Sequence, residues 1–71
     1  MVMSYQKIYI TDTERNLTFY GSVKSMNEGR GMISVCLLDV EVYEYSSSNY
    51  LYHEAEVSFS RPKGLLSIEE A

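Results

Sequence analysis

Chemistry has few places to reside in this chain: one histidine, His53, one cysteine, Cys36, and ten Asp and Glu side chains. A general base needs a nucleophile or a second polar group within hydrogen-bond reach. Strand parity puts His53 among Leu51, Ala55 and Val42, with Glu44 one step away on the same side. That spacing predicts a histidine at the rim of a core, or at most a His53–Glu44 pair. Cys36 falls opposite Phe59 with no cation close by to lower its pKa, so it reads as a small core hydrophobe rather than a nucleophile. Gly29-Arg30-Gly31 lacks the longer spacing, the Lys-Ser/Thr pair and the following helix of a phosphate-cradling loop. The residues therefore point to a non-enzymatic protein with no assigned catalytic, cofactor or metal site.

What remains is a bias. Residues 31–60 hold no Lys or Arg, five carboxylates (Asp39, Glu41, Glu44, Glu54, Glu56) and four tyrosines (Tyr43, Tyr45, Tyr50, Tyr52). The whole chain has a formal net charge of −4, so this stretch carries more than all of it.

The elements that must position these groups are strands. Residues 5–11 form a short Tyr/Ile/Thr run, closed by a polar segment. Residues 17–26 alternate with Leu17, Phe19, Gly21 and Val23 on one side. Asn27-Glu28-Gly29-Arg30-Gly31 reads as a five-residue turn. In residues 32–45 the apolar positions switch from odd (Ile33, Val35, Leu37) to even (Leu38, Val40, Val42), which predicts a β-bulge near residues 37–38 with Gly21 opposite it. Ser46-Ser47-Ser48-Asn49 makes a hairpin loop, and residues 50–61 alternate again until Pro62 ends the ladder. Residues 62–71 are a tail whose Leu65, Leu66 and Ile68 cover an open side of the sheet. The expected fold is all-β: one domain over residues 1–71, a four-stranded antiparallel meander curled into a small barrel or half-sandwich.

Pairing Tyr45 with Tyr50 sets Val42 against His53, Val40 against Ala55, Leu38 against Val57 and Cys36 against Phe59 on the inward side. The outward side then carries Tyr43 facing Tyr52, Glu41 facing Glu54 and Asp39 facing Glu56. Like charges directly opposite are destabilising by a few tenths of a kcal/mol each, while the tyrosine ladder is favourable by about as much. The plain reading of Asp39, Glu41, Tyr43, Tyr45, Tyr50, Tyr52, Glu54 and Glu56 is a solvated face. The functional reading is a binding face for a protein with a basic surface: tyrosines supply rigid contact and carboxylates speed encounter. A sharper version has the carboxylates imitate phosphates and block a nucleic-acid-binding groove. In size and charge the chain resembles the small acidic inhibitors of phages and other mobile elements, by composition alone. A cation site fits poorly, because Ca²⁺ takes 6 to 8 oxygens and a flat strand face does not converge them. Tyr20, Tyr43, Tyr50 and Tyr52 as a base-stacking platform is a further alternative, opposed by the carboxylates beside them.

Size and composition bound the rest. A chain of 71 residues buries only about 60% of its unfolded surface and gains from support. One cysteine forbids an internal disulfide, and one histidine with it forbids a Cys/His zinc site, which leaves a homodimer or other homo-oligomer as the support and a structural or assembly role as the alternative function. Six scattered cations (Lys7, Arg15, Lys24, Arg30, Arg61, Lys63) disfavour nucleic acid and anionic membranes. No apolar run reaches the roughly 18 residues of a membrane span. With the reduced cysteine and no recognisable signal peptide, the expected setting is cytoplasmic.

Overall fold

The computed structural model describes residues 6–71, so Tyr5 of the expected first strand lies outside the described residues. It is all-β, with five antiparallel strands in one sheet: β1 (Lys7–Asp12), β2 (Leu17–Gly29), β3 (Met32–Glu44), β4 (Tyr50–Pro62) and β5 (Leu66–Glu70). A single 3-10 turn, Lys63–Leu65, joins the last two. The spatial order is β4-β3-β2-β1-β5. The expected four-stranded meander is thus present, but the tail is not a loose cover. Ser67 and Ile68 face Thr11 and Ile10 as β5 pairs with the free edge of β1, satisfying backbone groups that a four-stranded sheet would leave open.

The sheet is curled but not closed. Five flat strands would put the two edges four spacings apart, about 19 Å. From Pro62 to Leu66 the chain makes only four Cα steps, which span about 14 Å at most. The edges must therefore approach each other at this end. The Thr13 amide donates to the Leu65 carbonyl at 3.2 Å, and Arg61 of β4 reaches Asp12 of β1. No ladder joins β4 to β5, so the expected barrel does not form.

Curling makes a core on the concave side. Ile8 and Ile10 of β1, Phe19 of β2, and Val35, Leu37, Val40 and Val42 of β3 are buried together, with Leu17, Val23, Val57, Phe59 and Leu66 packed around them. The odd-to-even switch in β3 is real, and the extra residue is Asp39, one position beyond the expected 37–38. Tyr20 faces Glu41 and Ser22 faces Leu38, so three steps on β3 oppose two on β2. Asp39 takes up the surplus with φ +53°. Gly21 lies across from this bulge, where an added Cβ would sit 3.0 Å from both the Leu38 carbonyl and Val40 Cγ2. A second irregularity restores the register: Lys24 is the surplus residue on β2 between Val23–Leu37 and Ser25–Cys36.

The β2–β3 connection is tighter than the five residues expected. Gly29 faces Met32, leaving only Arg30 (φ +54°) and Gly31 (φ +75°) as the turn. Two successive positive φ angles match the right-handed twist of a hairpin, and β2 therefore runs three residues further than the sequence indicated.

A buried carboxylate fastens the curl. Asp12 is fully buried at the end of β1. Its Oδ1 accepts the Arg15 amide at 3.1 Å, and its Oδ2 accepts Arg15 Nε at 2.7 Å and Arg61 Nε at 2.9 Å. Arg61 also donates to Glu14 at 2.6 Å. The Arg15 guanidinium lies over the rings of Phe19 and Phe59, themselves 5.1 Å apart. Burial alone would raise the Asp12 pKa, but the hydrogen bonds from the Arg15 side chain, the Arg15 amide and Arg61 outweigh it and hold the carboxyl below its ordinary value.

Candidate functional site

The pairing of β3 with β4 is one residue away from the expected one. Tyr45 leaves the ladder: β3 ends at Glu44, and the Tyr45 amide donates to the Asn16 carbonyl at 3.0 Å. Asn16, at φ +58°, also accepts the Ser46 amide on its side chain, which ties the β1–β2 loop to the β3–β4 loop. With Tyr45 drawn aside, Tyr43 takes its place opposite Tyr50, their rings meeting edge to face at 5.7 Å. One further shift next to this pair sets Val42 opposite Tyr52, Glu41 opposite His53, Val40 opposite Glu54 and Leu38 opposite Glu56.

This corrects the expected acid pairs. Glu41 does not face Glu54, and Asp39 does not face Glu56. The adopted register avoids two like-charge oppositions and puts an imidazole across from Glu41 instead. His53 is accordingly not inward. It is exposed, with Nε2 2.6 Å from Oδ1 of Asp39. Glu44 does not pair with it; that carboxylate accepts the Ser47 hydroxyl in the loop. Cys36 faces Ser58 rather than Phe59 and is half-buried in a shallow depression bordered by Ser25, Asn27 and Ser34.

The eight candidate residues nevertheless share one region of the surface. In β4, residues 50–56 are exposed at every position, because the core lies under the other half of the strand. Tyr45 and Tyr50 are 51% and 55% exposed, which for rings of this size is an open apolar surface. Tyr52 and Glu54 stand across from core residues Val42 and Val40, whereas Glu41 and Tyr43 lie on the outer side. The patch is thus an edge that presents two sides, not one flat face. Lys24 approaches Glu56 at 3.6 Å, and His53 engages Asp39. Glu41 and Glu54 have no cationic partner among the described residues. Among those residues, too, no three His, Cys, Asp or Glu groups converge as metal ligands.

Tyr43 is the most constrained member of the patch. Its hydroxyl donates to Glu41, two residues back on the same side of β3. That hydrogen bond to a carboxylate, with desolvation behind it, pushes the phenol up to about 12.

Beyond the expected residues, the register aligns two rows across the outer face. One runs Glu69 (β5), Tyr9 (β1), Tyr20 (β2), Glu41 (β3), His53 (β4). The other runs Ser67, Thr11, Thr18, Tyr43, Tyr50. Tyr9 and Tyr20 stack at 4.5 Å with an interplanar angle of 25°. Ser67, Thr11 and Thr18 are short, so a groove of about 530 Å³ opens above them, walled by Tyr9 and Glu69 on one side and by Tyr43, Glu44 and Tyr45 on the other. Strand parity shows that Tyr9 and Tyr20 point away from Ile8, Ile10 and Phe19. Their alignment with Glu69 depends on β5, in a segment where the sequence pattern indicates only a covering tail.

No known protein family's sequence profile matches this chain, and no characterised protein matches it either.

Proposed function

We propose that this protein is a non-catalytic, acidic protein-binding module that engages a basic surface of a partner through Asp39, Glu41, Tyr43, Tyr45, Tyr50, Tyr52, Glu54 and Glu56, as a regulator or inhibitor. The observation that carries this reading is the half of β4 over residues 50–56, exposed at every position and rich in tyrosine and carboxylate, beside Glu41. Such an edge contributes nothing to the core, while rigid aromatic rings and unneutralised acids are what a basic partner would contact. A basic groove that ordinarily holds nucleic acid is the sharpest form of that partner, since carboxylates spaced along two strands present charge as phosphates do.

Charge reversal at two positions tests it. Glu41→Lys/Glu54→Lys should abolish capture of partner from a lysate while leaving the β-sheet circular dichroism unchanged. Wild-type capture should fall as salt rises, because exposed charges are screened within about 10 Å at 0.1 M. Unchanged capture by the double variant would make the patch a solvated face only.

A second reading has its own support. Among the described residues no strand pairs with the outer edge of β4, and open edges accept another strand. A homo-oligomer assembled through that edge would make the protein structural rather than regulatory. Sedimentation separates the two: a strict monomer at high concentration argues against assembly.

A further inference from the structure

We infer that the groove on the outer face of β5, β1, β2 and β3 receives an arginine side chain from an extended segment of the basic partner. The inference rests on the partner-binding reading above and supplies the partner's chemistry. Tyr9 is held in place by stacking on Tyr20, and Tyr43 is held by its hydrogen bond to Glu41 and by the edge of Tyr50. The walls are therefore aromatic faces fixed before any ligand arrives, which lowers the entropy lost on binding. Glu44 at the end of β3 and Glu69 of β5 both border the groove, and among the described residues no Lys or Arg lines it.

Rings plus carboxylates select a cation that is also flat. A guanidinium stacks on a phenol face and offers a fork of donors to a carboxylate, whereas an ammonium is a hydrated point charge. The small residues of the floor, Ser67, Thr11 and Thr18, leave depth for a long side chain while their hydroxyls keep it polar. A purely apolar anchor would desolvate both acids with no cation to match them. At about 530 Å³ the groove is of the size that holds a side chain with its flanking backbone.

The test is a backbone-amide NMR titration of the full chain with acetyl-Gly-Arg-Gly-Arg-Gly-amide. Matched peptides carry citrulline or lysine in place of arginine. Saturable shifts centred on Thr11, Thr18 and Ser67 are expected, weakened about tenfold by citrulline and about threefold by lysine. Glu44→Gln/Glu69→Gln and Tyr45→Ala alter half-buried or exposed side chains outside the core and should weaken arginine-peptide binding severalfold while amide dispersion stays native. Equal binding of the citrulline or lysine peptide would overturn the inference. So would shifts centred on residues 50–56 that the Glu44→Gln/Glu69→Gln variant leaves intact. Partner capture separates this inference from the reading beneath it. Capture lost in Glu41→Lys/Glu54→Lys but kept in Glu44→Gln/Glu69→Gln removes the groove and retains the acidic surface. Capture kept in both removes the two together.

Discussion

Asp12 is the side chain on which the chain's own acidity bears most directly. It is the buried carboxylate of an acidic protein, and it is ionised because Arg15 and Arg61 converge on it. Removing one partner from a buried ion pair leaves the others desolvated and unmatched. Asp12→Asn should therefore cost about 3–5 kcal/mol in denaturant unfolding, a large part of the total for a domain of this size. The same group sets an acid limit. Its folded pKa lies below the unfolded value of 3.8, so its contribution to stability is present above that value and is lost as pH falls through the folded pKa. Stability measured against pH should drop below 3.8 in the wild type, with the drop reduced in Asp12→Asn. Tyr43 behaves in the opposite sense. With its phenol raised from 10.0 to about 12, it favours the folded state below pH 10 and loses that contribution as pH climbs towards 12. Ultraviolet titration should show a tyrosine ionising near pH 12, and Glu41→Gln should bring it back towards 10.0. An unaltered profile in Glu41→Gln would mean that the hydrogen bond is not the cause.

At the scale of elements, two glycines divide the work of shaping the long hairpin. Gly21 gives room for the β3 backbone to bulge at Asp39, and Gly21→Ala should cost about 1–3 kcal/mol, since the Leu38 carbonyl in its way cannot rotate aside. The Arg30-Gly31 turn holds an arginine in left-handed geometry, which costs an L-residue about 1–2 kcal/mol unless its side chain bonds locally. Arg30→Asn should raise the thermal midpoint, while Arg30→Val should lower it. These same positions show what alternation in the sequence can and cannot disclose. The switch from Leu37 to Val40 requires an extra residue, and apolar parity registers that directly. Lys24 adds a compensating residue on an exposed stretch of β2, where no apolar pattern exists to be broken. The one-residue difference between the expected and the observed β3–β4 pairing has a similar origin. Residues 50–56 bury nothing, so their alternation fixes no inward side. The true constraint was Asn16 capturing the amide of Tyr45 from another loop, a contact between residues 29 positions apart. The candidate residues were thus visible by composition, but their opposition was not.

For the molecule as a whole, the decisive contact is the one that draws the two edges of the sheet together. Without it, β4 would diverge from β1 and uncover Phe59 and Val57, which pack on the core from the strand's second half. Arg61 makes that contact twice, to Asp12 at 2.9 Å and to Glu14 at 2.6 Å. Its backbone lies next to Pro62 and the three-residue turn, so the ion pair and the short connection constrain the same curvature. Residues 50–56, by contrast, gain nothing from the curl. Arg61→Ala should therefore cost about 3 kcal/mol, and the loss should be spatially ordered. Hydrogen-exchange protection should fall at Val57, Phe59 and the amides of β5, while residues 50–56 should exchange as before. Lys24→Ala, which breaks an exposed pair with Glu56, should stay within about 0.5 kcal/mol of wild type. A uniform loss of protection in Arg61→Ala would mean that the sheet opens only as one unit. An ordered loss would mean that the exposed end of β4 and the core-forming end are stabilised separately. Residues 50–56 could then change their side chains freely, with the curl held from the other end of the same strand.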